Sequence, residues 1–423
     1  MEAITITRIA CGMIVSRRAR LVSGGNAAFV MKILHVCESL IGGPASYLEE
    51  ILPYQIQQFG ADKVALLAPA SHRESVASSI NCTVETYDRT GRNFRSILAL
   101  ALAIRKSIKR HDPDIVHLHS SVAGAIGRLI VRGMRRQPRV VYCAHCWAFD
   151  RPRKTAFTRL CALLERTLSR FADAIVNISP HEEPLLRNAG FSLESTKLIV
   201  SGIRDLASPP DAAPAATDPT APLRLLFVGR LDSQKGVDLL LRDFALLKPG
   251  RATLRIVGAK IVDNRDLIIP PEVELLGWVP RETLPALFGK FDAVVMPSRW
   301  EGMPLLAIEV LRSGIPLICS NHGAFPYFIK DGVNGALMDI NTPGSLDSAL
   351  TVLENADRPA MRAAARATFV AMFRQEQMNR NLIGLYDSLV QMTPQSKPAP
   401  APQFQPMGLG RMIGRRAVGE SRQ

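Results

Sequence analysis

Two successive series of short apolar runs, each run followed by a helical pattern, constrain this chain more than any other feature. Such runs bury both faces of every strand only in a parallel sheet covered by helices on both sides. The first series reads as strands at Lys32–Cys37, Val64–Ala68, Ile115–Leu118, Val140–Ala144, Ala174–Ile178 and Lys197–Val200. Between them Tyr47, Leu48, Ile51 and Leu52 trace one helix face, and Arg95–Arg110 a strongly amphipathic helix. Ala207 to Pro222 holds only Ala, Pro, Asp, Ser and Thr, which marks a linker. A second series follows at Leu223–Val228, Thr253–Val257, Glu274–Leu276, Ala293–Met296 and Pro316–Cys319. Its helices fall at Val237–Leu247, Arg281–Phe288 and Pro304–Arg312, and two more helical patterns run from Arg358 to about Gln391. The expected fold is α/β, with two doubly wound, Rossmann-like domains facing each other across a cleft. Residues 32–206 form the first domain, completed by a C-terminal helix at about 374–391; 207–222 are the linker and 223–373 the second domain. Residues 1–31 read as a loose extension, and 393–423, rich in Pro, Gln, Gly and Arg, as a disordered tail.

The charge calls for an anionic partner. Fifty-two basic residues against 38 acidic give +14 over 423 residues. Aromatic residues are only 6%, and no nucleic-acid recognition motif is present, which sets nucleic acid aside. Phosphorylated small molecules and anionic lipid head groups remain. The excess is concentrated: Arg132, Arg135, Arg136, Arg139, Arg151, Arg153, Lys154 and Arg159 share a stretch whose only acid is Asp150. That pattern is compatible with contact to a membrane surface. No apolar run is long enough to cross a bilayer. Arg17, Arg18 and Arg20 follow the N-terminal apolar stretch instead of preceding it, unlike a signal peptide. Seven cysteines in a chain of this size suggest reduced thiols in a cytosolic protein. Cys143 and Cys146 form one Cys-x-x-Cys pair that no second pair answers, so structural zinc lacks its ligands and no metal is expected there.

Ligands of open parallel sheets bind beyond the carboxyl ends of the strands. The loop after Ala293–Met296 reads Pro297-Ser298-Arg299-Trp300-Glu301-Gly302-Met303-Pro304. Pro304 fits the first helical position, Gly302 allows a ligand close to the backbone, and the free amides of Met303 and Leu305 form an anion site. Glu301 lies in the loop, in reach of a neutral polyol; Glu309 lies inside the helix, where it can accept from a ribose diol. Gly229-Arg230-Leu231-Asp232-Ser233-Gln234-Lys235-Gly236 brackets a turn with two cations suited to a diphosphate. It is neither a P-loop nor a dinucleotide fingerprint. Gly42-Gly43 ends the first strand, and His145 stands just past Val140–Ala144. His117 and His119 alternate with apolar residues and read as packing, with His119 the nearer to an acceptor. Asp112-Pro113-Asp114 imitates a metal-binding Asp-x-Asp, but it precedes its strand and reads as a turn.

Taken together, these elements resemble the retaining glycosyltransferase family 4 of the GT-B fold, over roughly residues 32 to 391. Ser298 to Pro304 with Glu309 is similar to the family's Glu-x7-Glu motif, supported by Gly229-Arg230 through Lys235-Gly236 and by Gly332-Val333-Asn334-Gly335. The resemblance implies that the first domain binds the acceptor and the second a nucleotide-sugar donor. It implies that Arg230 and Lys235 neutralise the donor diphosphate and that Gly43 lets the backbone approach it. Gly302, Met303, Pro304 and Leu305 complete the donor site, with Glu309 on the ribose. Glu301 and His145 would act as the catalytic pair at the transferred sugar. No metal or other cofactor is implied, since fixed cations and helix amides do that electrostatic work. Val141 to Phe149 also resembles bacterial members building exopolysaccharide on polyprenyl-diphosphate-linked acceptors at the inner face of the plasma membrane. On that reading His119, Arg151, Arg153 and Lys154 serve the acceptor and an anionic membrane surface. Ser201-Gly202 and Asn321-His322-Gly323-Ala324 depart from the family's usual Asn-Gly and acidic-x-Gly-Gly, which leaves the sugar open. An epimerase or phosphorylase on the same fold, and a non-catalytic nucleotide-sugar or membrane binder, are the competing readings. Product analysis and turnover separate them.

Overall fold

The computed structural model describes residues 31–75, 80–91, 93–151, 155–207, 221–259 and 268–392. The expectations for the N-terminal extension, most of the linker and the tail therefore lie outside the described residues, as do Arg153 and Lys154.

The first half contains β1 (Ile33–Cys37), α1 (Gly43–Phe59), β2 (Val64–Pro69), β3 (Thr83–Tyr87), α2 (Phe94–His111), β4 (Ile115–His119), α3 (Ser121–Arg132), β5 (Arg139–Cys143), α4 (Ala156–Ser169), β6 (Ala174–Asn177), α5 (Glu182–Asn188) and β7 (Thr196–Leu198). Its seven strands are parallel, in the order β3-β2-β1-β4-β5-β6-β7. The second half runs β8 (Leu223–Val228), α6 (Val237–Phe244), β9 (Ala252–Val257), β10 (Val273–Gly277), α7 (Leu284–Phe288), β11 (Ala293–Met296), α8 (Leu305–Arg312), β12 (Leu317–Ser320), β13 (Gly335–Met338), α9 (Ser345–Asn355), α10 (Arg358–Met372) and α11 (Gln375–Gln391). Its six parallel strands are ordered β10-β9-β8-β11-β12-β13.

Strands β1, β2, β4 and β11 are buried at every position, which is why each stands out as an apolar run. Some of the elements that the sequence pattern does not announce depart from this rule. Edge strand β3 is mostly exposed or half-buried and reads Thr-Val-Glu-Thr-Tyr. Helix α3 carries Gly124, unfavourable in a helix by about 1 kcal/mol. Its tertiary reason is clear: a Cβ there would stand 2.2 Å from the Tyr142 ring. The helix read at Arg281–Phe288 divides into a 3₁₀ turn, Arg281–Thr283, and α7. Asp112 caps α2 in the left-handed conformation and Asp114 accepts the Lys32 amide at 3.0 Å, so Asp112-Pro113-Asp114 is a turn at the amino end of β4.

Helix α11 returns from the second half to the first. Ile203 bridges Arg374, Gln375 Nε2 donates to the Glu50 carbonyl at 2.8 Å, and the Tyr386 hydroxyl lies 2.7 Å from His117 Nδ1. One buried apolar cluster runs from Ile33 and Val141 through Phe373 and Tyr386 to Ile308 and Phe328. The two sheets thus share a continuous core.

Candidate active site

In each sheet the chain reverses its direction of winding beside the first strand, between β1 and β4 and between β8 and β11. Loops leaving the carboxyl ends of such neighbouring strands diverge and open a crevice. The segments after β1, β5, β8 and β11 contain Gly43, His145, Arg230 with Lys235, and Glu301. The motifs gather there because the winding requires it.

The loops after β8 and β11 are tied to each other. Arg299 pairs with both oxygens of Asp238 at 2.7 Å, donates to the Ser233 carbonyl at 2.7 Å, and gives its own amide to Gln234 O at 2.9 Å. Lys235 Nζ reaches Glu301 Oε1 at 2.6 Å, and the Ser298 hydroxyl donates to the same oxygen at 2.9 Å. Glu301 is only 7% exposed, so this ion pair fixes a carboxylate that would otherwise be costly to bury. Arg230 pairs with Asp232 at 3.0 Å and donates to Gln234 at 3.0 Å, and its side chain is half-buried. Helix α8 begins at Leu305; Pro304 is its cap in extended conformation, one position earlier than the sequence suggests.

Gly302 has a close neighbour within the protein itself. A Cβ at Gly302 would lie 2.2 Å from the carbonyl oxygen of His145 and 3.4 Å from Cys146 Cα. The close approach it permits is that of the opposite half of the protein, not only of a ligand. His145 itself has φ 61°, a left-handed conformation that costs a non-glycine residue about 1 kcal/mol or more. Gly43, by contrast, faces open space.

Glu309, 6% exposed, is held by Arg281 through Nε at 2.8 Å and through Nη2. The other arm of Arg281 donates to Glu49 at 2.7 Å and to Ser46 at 2.9 Å, both on α1. Arg281 therefore joins the two halves at the Glu309 end of the crevice. Nothing in its local sequence marks it; its partners stand more than twenty and more than two hundred residues away.

Behind His145 lies a line of buried rings. His145 Nε2 is 2.9 Å from His119 Nδ1, His119 Nε2 is 3.0 Å from His35 Nδ1, and His35 Nε2 is 2.8 Å from Gln55 Oε1. His119 is fully buried, so the expectation that it approaches an acceptor is not met; it supports His145 from behind. Burial pushes His35 down to about 4 and His145 to about 3, and His117 and His119 well below the ordinary histidine range. These rings are neutral when folded but take up protons when unfolded below pH 6.5. Stability is therefore complete above that pH and is progressively lost as pH falls below it, because the unfolded chain gains protons that the buried rings refuse. Denaturant midpoints at pH 7.5 and 5.0 should show a clear loss; equal midpoints would contradict it.

Cys143 and Cys146 are free, and burial raises both thiols well above their usual value, so the pair supplies no thiolate at neutral pH. Arg151 is exposed at the crevice, its guanidinium 5.9 Å above the Trp300 ring.

With this geometry in place, comparison with known proteins is decisive. Residues 213–368 match the glycosyl transferases group 1 family, and residues 41–205 match Glycosyltransferase Family 4. The chain is a family 4-like glycosyltransferase. An uncharacterized 41.2 kDa protein in the cps region of Klebsiella pneumoniae is 29% identical over 370 residues, 85% of this chain and 100% of the relative. The Escherichia coli UDP-Gal:alpha-D-GlcNAc-diphosphoundecaprenol alpha-1,3-galactosyltransferase is 26% identical over 272 residues, 59% of this chain and 68% of its own length. Among solved structures, Anabaena HepE in complex with UDP and glucose superposes with a TM-score of 0.70 at 20% identity, covering 85% of this chain and 100% of its own. Sucrose-phosphate synthase from Thermosynechococcus elongatus gives 0.72 at 18% identity, covering 85% and 99%. The two Rossmann-like domains are thus those of a GT-B glycosyltransferase. Among the described residues no helix is long and apolar enough to cross a membrane.

Proposed function

We propose that this glycosyltransferase moves a hexosyl residue from a uridine-diphosphate sugar to a lipid-diphosphate-linked glycan in bacterial polysaccharide biosynthesis, retaining the anomeric configuration and needing no metal. The observation that carries the reading is the Lys235–Glu301 pair, set between the carboxyl ends of β8 and β11 and the amino end of α8. A cation, a helix start and a carboxylate in one place suit a diphosphate joined to a sugar. The relatives named above supply the donor and acceptor classes.

In this reading Lys235 and Arg230 take the diphosphate together with the amides of Met303 and Leu305, and Gly43 admits it from the other side. Glu309 takes the ribose hydroxyls, exchanging its bond to Arg281 for them. Glu301, released by Lys235, holds hydroxyls of the transferred sugar, and His145 stands near the reacting carbon. The acceptor oxygen attacks the anomeric carbon on the face the leaving group departs from. The bond from that carbon to the diphosphate breaks, and the acceptor proton passes to a phosphate oxygen. Fixed cations and helix amides stabilise the charge that develops there.

A thermal-shift panel of nucleotide sugars tests the donor, because a ligand of the native state raises its stability. UDP-glucose or UDP-galactose should raise the unfolding temperature, and Lys235→Met with Arg230→Met should abolish the shift. A response to GDP-sugars alone, or a shift that survives the double variant, would refute this assignment.

The acceptor reading places the chain peripherally at the cytoplasmic membrane face. Helix α3 packs between α2 and α4, and the outer faces of those two present Phe94, Leu98 and Leu102, and Phe157, Leu160 and Leu164, all exposed. Arg95, Arg105, Lys106, Arg159 and Arg166 are exposed on the same helices. Apolar rows flanked by cations suit the head-group boundary of an anionic bilayer. The protein should co-sediment with phosphatidylglycerol vesicles and not with phosphatidylcholine vesicles, and Leu160→Ser with Leu164→Ser should release it. Equal recovery with both lipids at low salt would count against a membrane role.

A further inference from the structure

The line of rings behind His145 has a chemical consequence beyond support. All four members of the chain Gln55, His35, His119 and His145 are joined end to end, at 2.8, 3.0 and 2.9 Å. A neutral imidazole carries one proton, so a ring bonded at both nitrogens donates from one and accepts at the other. The first contact therefore dictates every later one. Gln55 presents its carbonyl oxygen, an acceptor, so His35 donates from Nε2 and accepts at Nδ1. His119 then donates from Nε2 to His35 and accepts at Nδ1. His145 in turn donates from Nε2, which leaves its Nδ1 without a proton.

We propose that Gln55, acting through His35 and His119, sets the tautomer of His145, so that the crevice receives a bare Nδ1 that accepts a hydrogen bond from a hydroxyl of the bound sugar. Among the described residues no partner is found for that nitrogen, and His145 is only half-buried. The surroundings maintain the order: burial holds His35, His119 and His145 neutral, so no second proton enters the line at physiological pH. Tyr47 closes one side, its ring 4.9 Å from that of His145 and edge-on to it. His117, tilted against His119 at 4.1 Å between ring centres, is bonded instead to Tyr386 and lies outside the chain. Gln55, His35 and His119 are thus positioning residues, acting on the sugar only through His145. This rests on the proposed placement of His145 at the donor sugar.

Long-range proton–nitrogen spectra of the full chain labelled with nitrogen-15 histidine read the tautomer directly, with His145→Gln identifying the signal. The wild-type protein should show His145 protonated at Nε2 and bare at Nδ1. Gln55→Met should give a mixed or inverted pattern, and Gln55→Glu, which can only accept, should restore the original one. His35→Gln offers a second break in the line should Gln55→Met not fold. In turnover assays Gln55→Met should lower kcat about tenfold or more with the donor KM little changed, and Gln55→Glu should recover it. An unaltered His145 pattern in both breaking variants would overturn the proposal. So would a metal ion bound to the purified protein at His35, His117 and His119, whose ligand atoms lie within 4.8 Å of one another. The spectra need no substrate, so loss of the donor reading and loss of this one are distinguishable.

Discussion

Glu301→Gln is expected to lower sugar transfer about a hundredfold or more, the scale on which oriented polar groups act on a developing transition state. The amide keeps the shape of the carboxylate and an oxygen for the Ser298 hydroxyl, so the fold is retained. What disappears is the charge. In the free protein that charge holds Lys235 at 2.6 Å; in the donor complex it would bind the hydroxyls of a sugar acquiring positive character. Lys235 is left free for the diphosphate, so donor affinity should change far less than turnover. Lys235→Met should show the opposite balance, with binding lost first. Release of nucleoside diphosphate, measured against donor concentration, separates kcat from KM for both. Glu301→Gln turning over within a few-fold of wild type would remove Glu301 from the sugar.

The largest expected loss of stability belongs to Arg128, far from the crevice. Its side chain is fully buried between α3 and β5. Nη2 donates to Glu165 at 2.6 Å, Nε to the Gly124 carbonyl at 2.8 Å, and the guanidinium lies 4.1 Å above the Tyr142 ring. The Tyr142 hydroxyl donates to the other Glu165 oxygen at 2.9 Å. Arg128→Met leaves Glu165 buried with no countercharge, and breaking a buried pair from one side costs about 3–5 kcal/mol. Changing both members, Arg128→Met with Glu165→Leu, removes the stranded charge and should recover most of that loss. Denaturant unfolding of the two single variants and the double variant measures the coupling. Losses that simply add would show that the two side chains act independently. The site has a functional bearing as well, because Tyr142 belongs to β5, three residues before His145, and this cluster anchors the strand that carries it.

The division between what sequence and structure each decided follows the range of the forces involved. Strands buried on both faces appear as apolar runs, so β1, β5, β8 and β11 could be read directly, and with them the loops that bear Gly43, His145, Lys235 and Glu301. Parallel winding then sends those loops to one crevice without any further information. Edge strand β3 and helix α3 escaped because their positions depend on neighbours: a half-solvated edge needs few apolar residues, and Gly124 answers to a tyrosine eighteen positions away.

The partners within the crevice were out of reach for the same reason. Nothing near Arg281 says that it will hold Glu309 with one arm and α1 with the other. Nothing near His35 says that Gln55 and His119 will close a line to His145. Gly302 was legible as a place where something comes close, yet only the packing of one half on the other revealed that the visitor is the His145 carbonyl. The sequence by itself determined two parallel α/β sheets and the set of chemical groups at their mouths, because periodic burial and chain reversal are local and repetitive. Which group holds which was decided by tertiary structure alone, since hydrogen bonds and ion pairs of this kind are fixed by the meeting of surfaces distant along the chain.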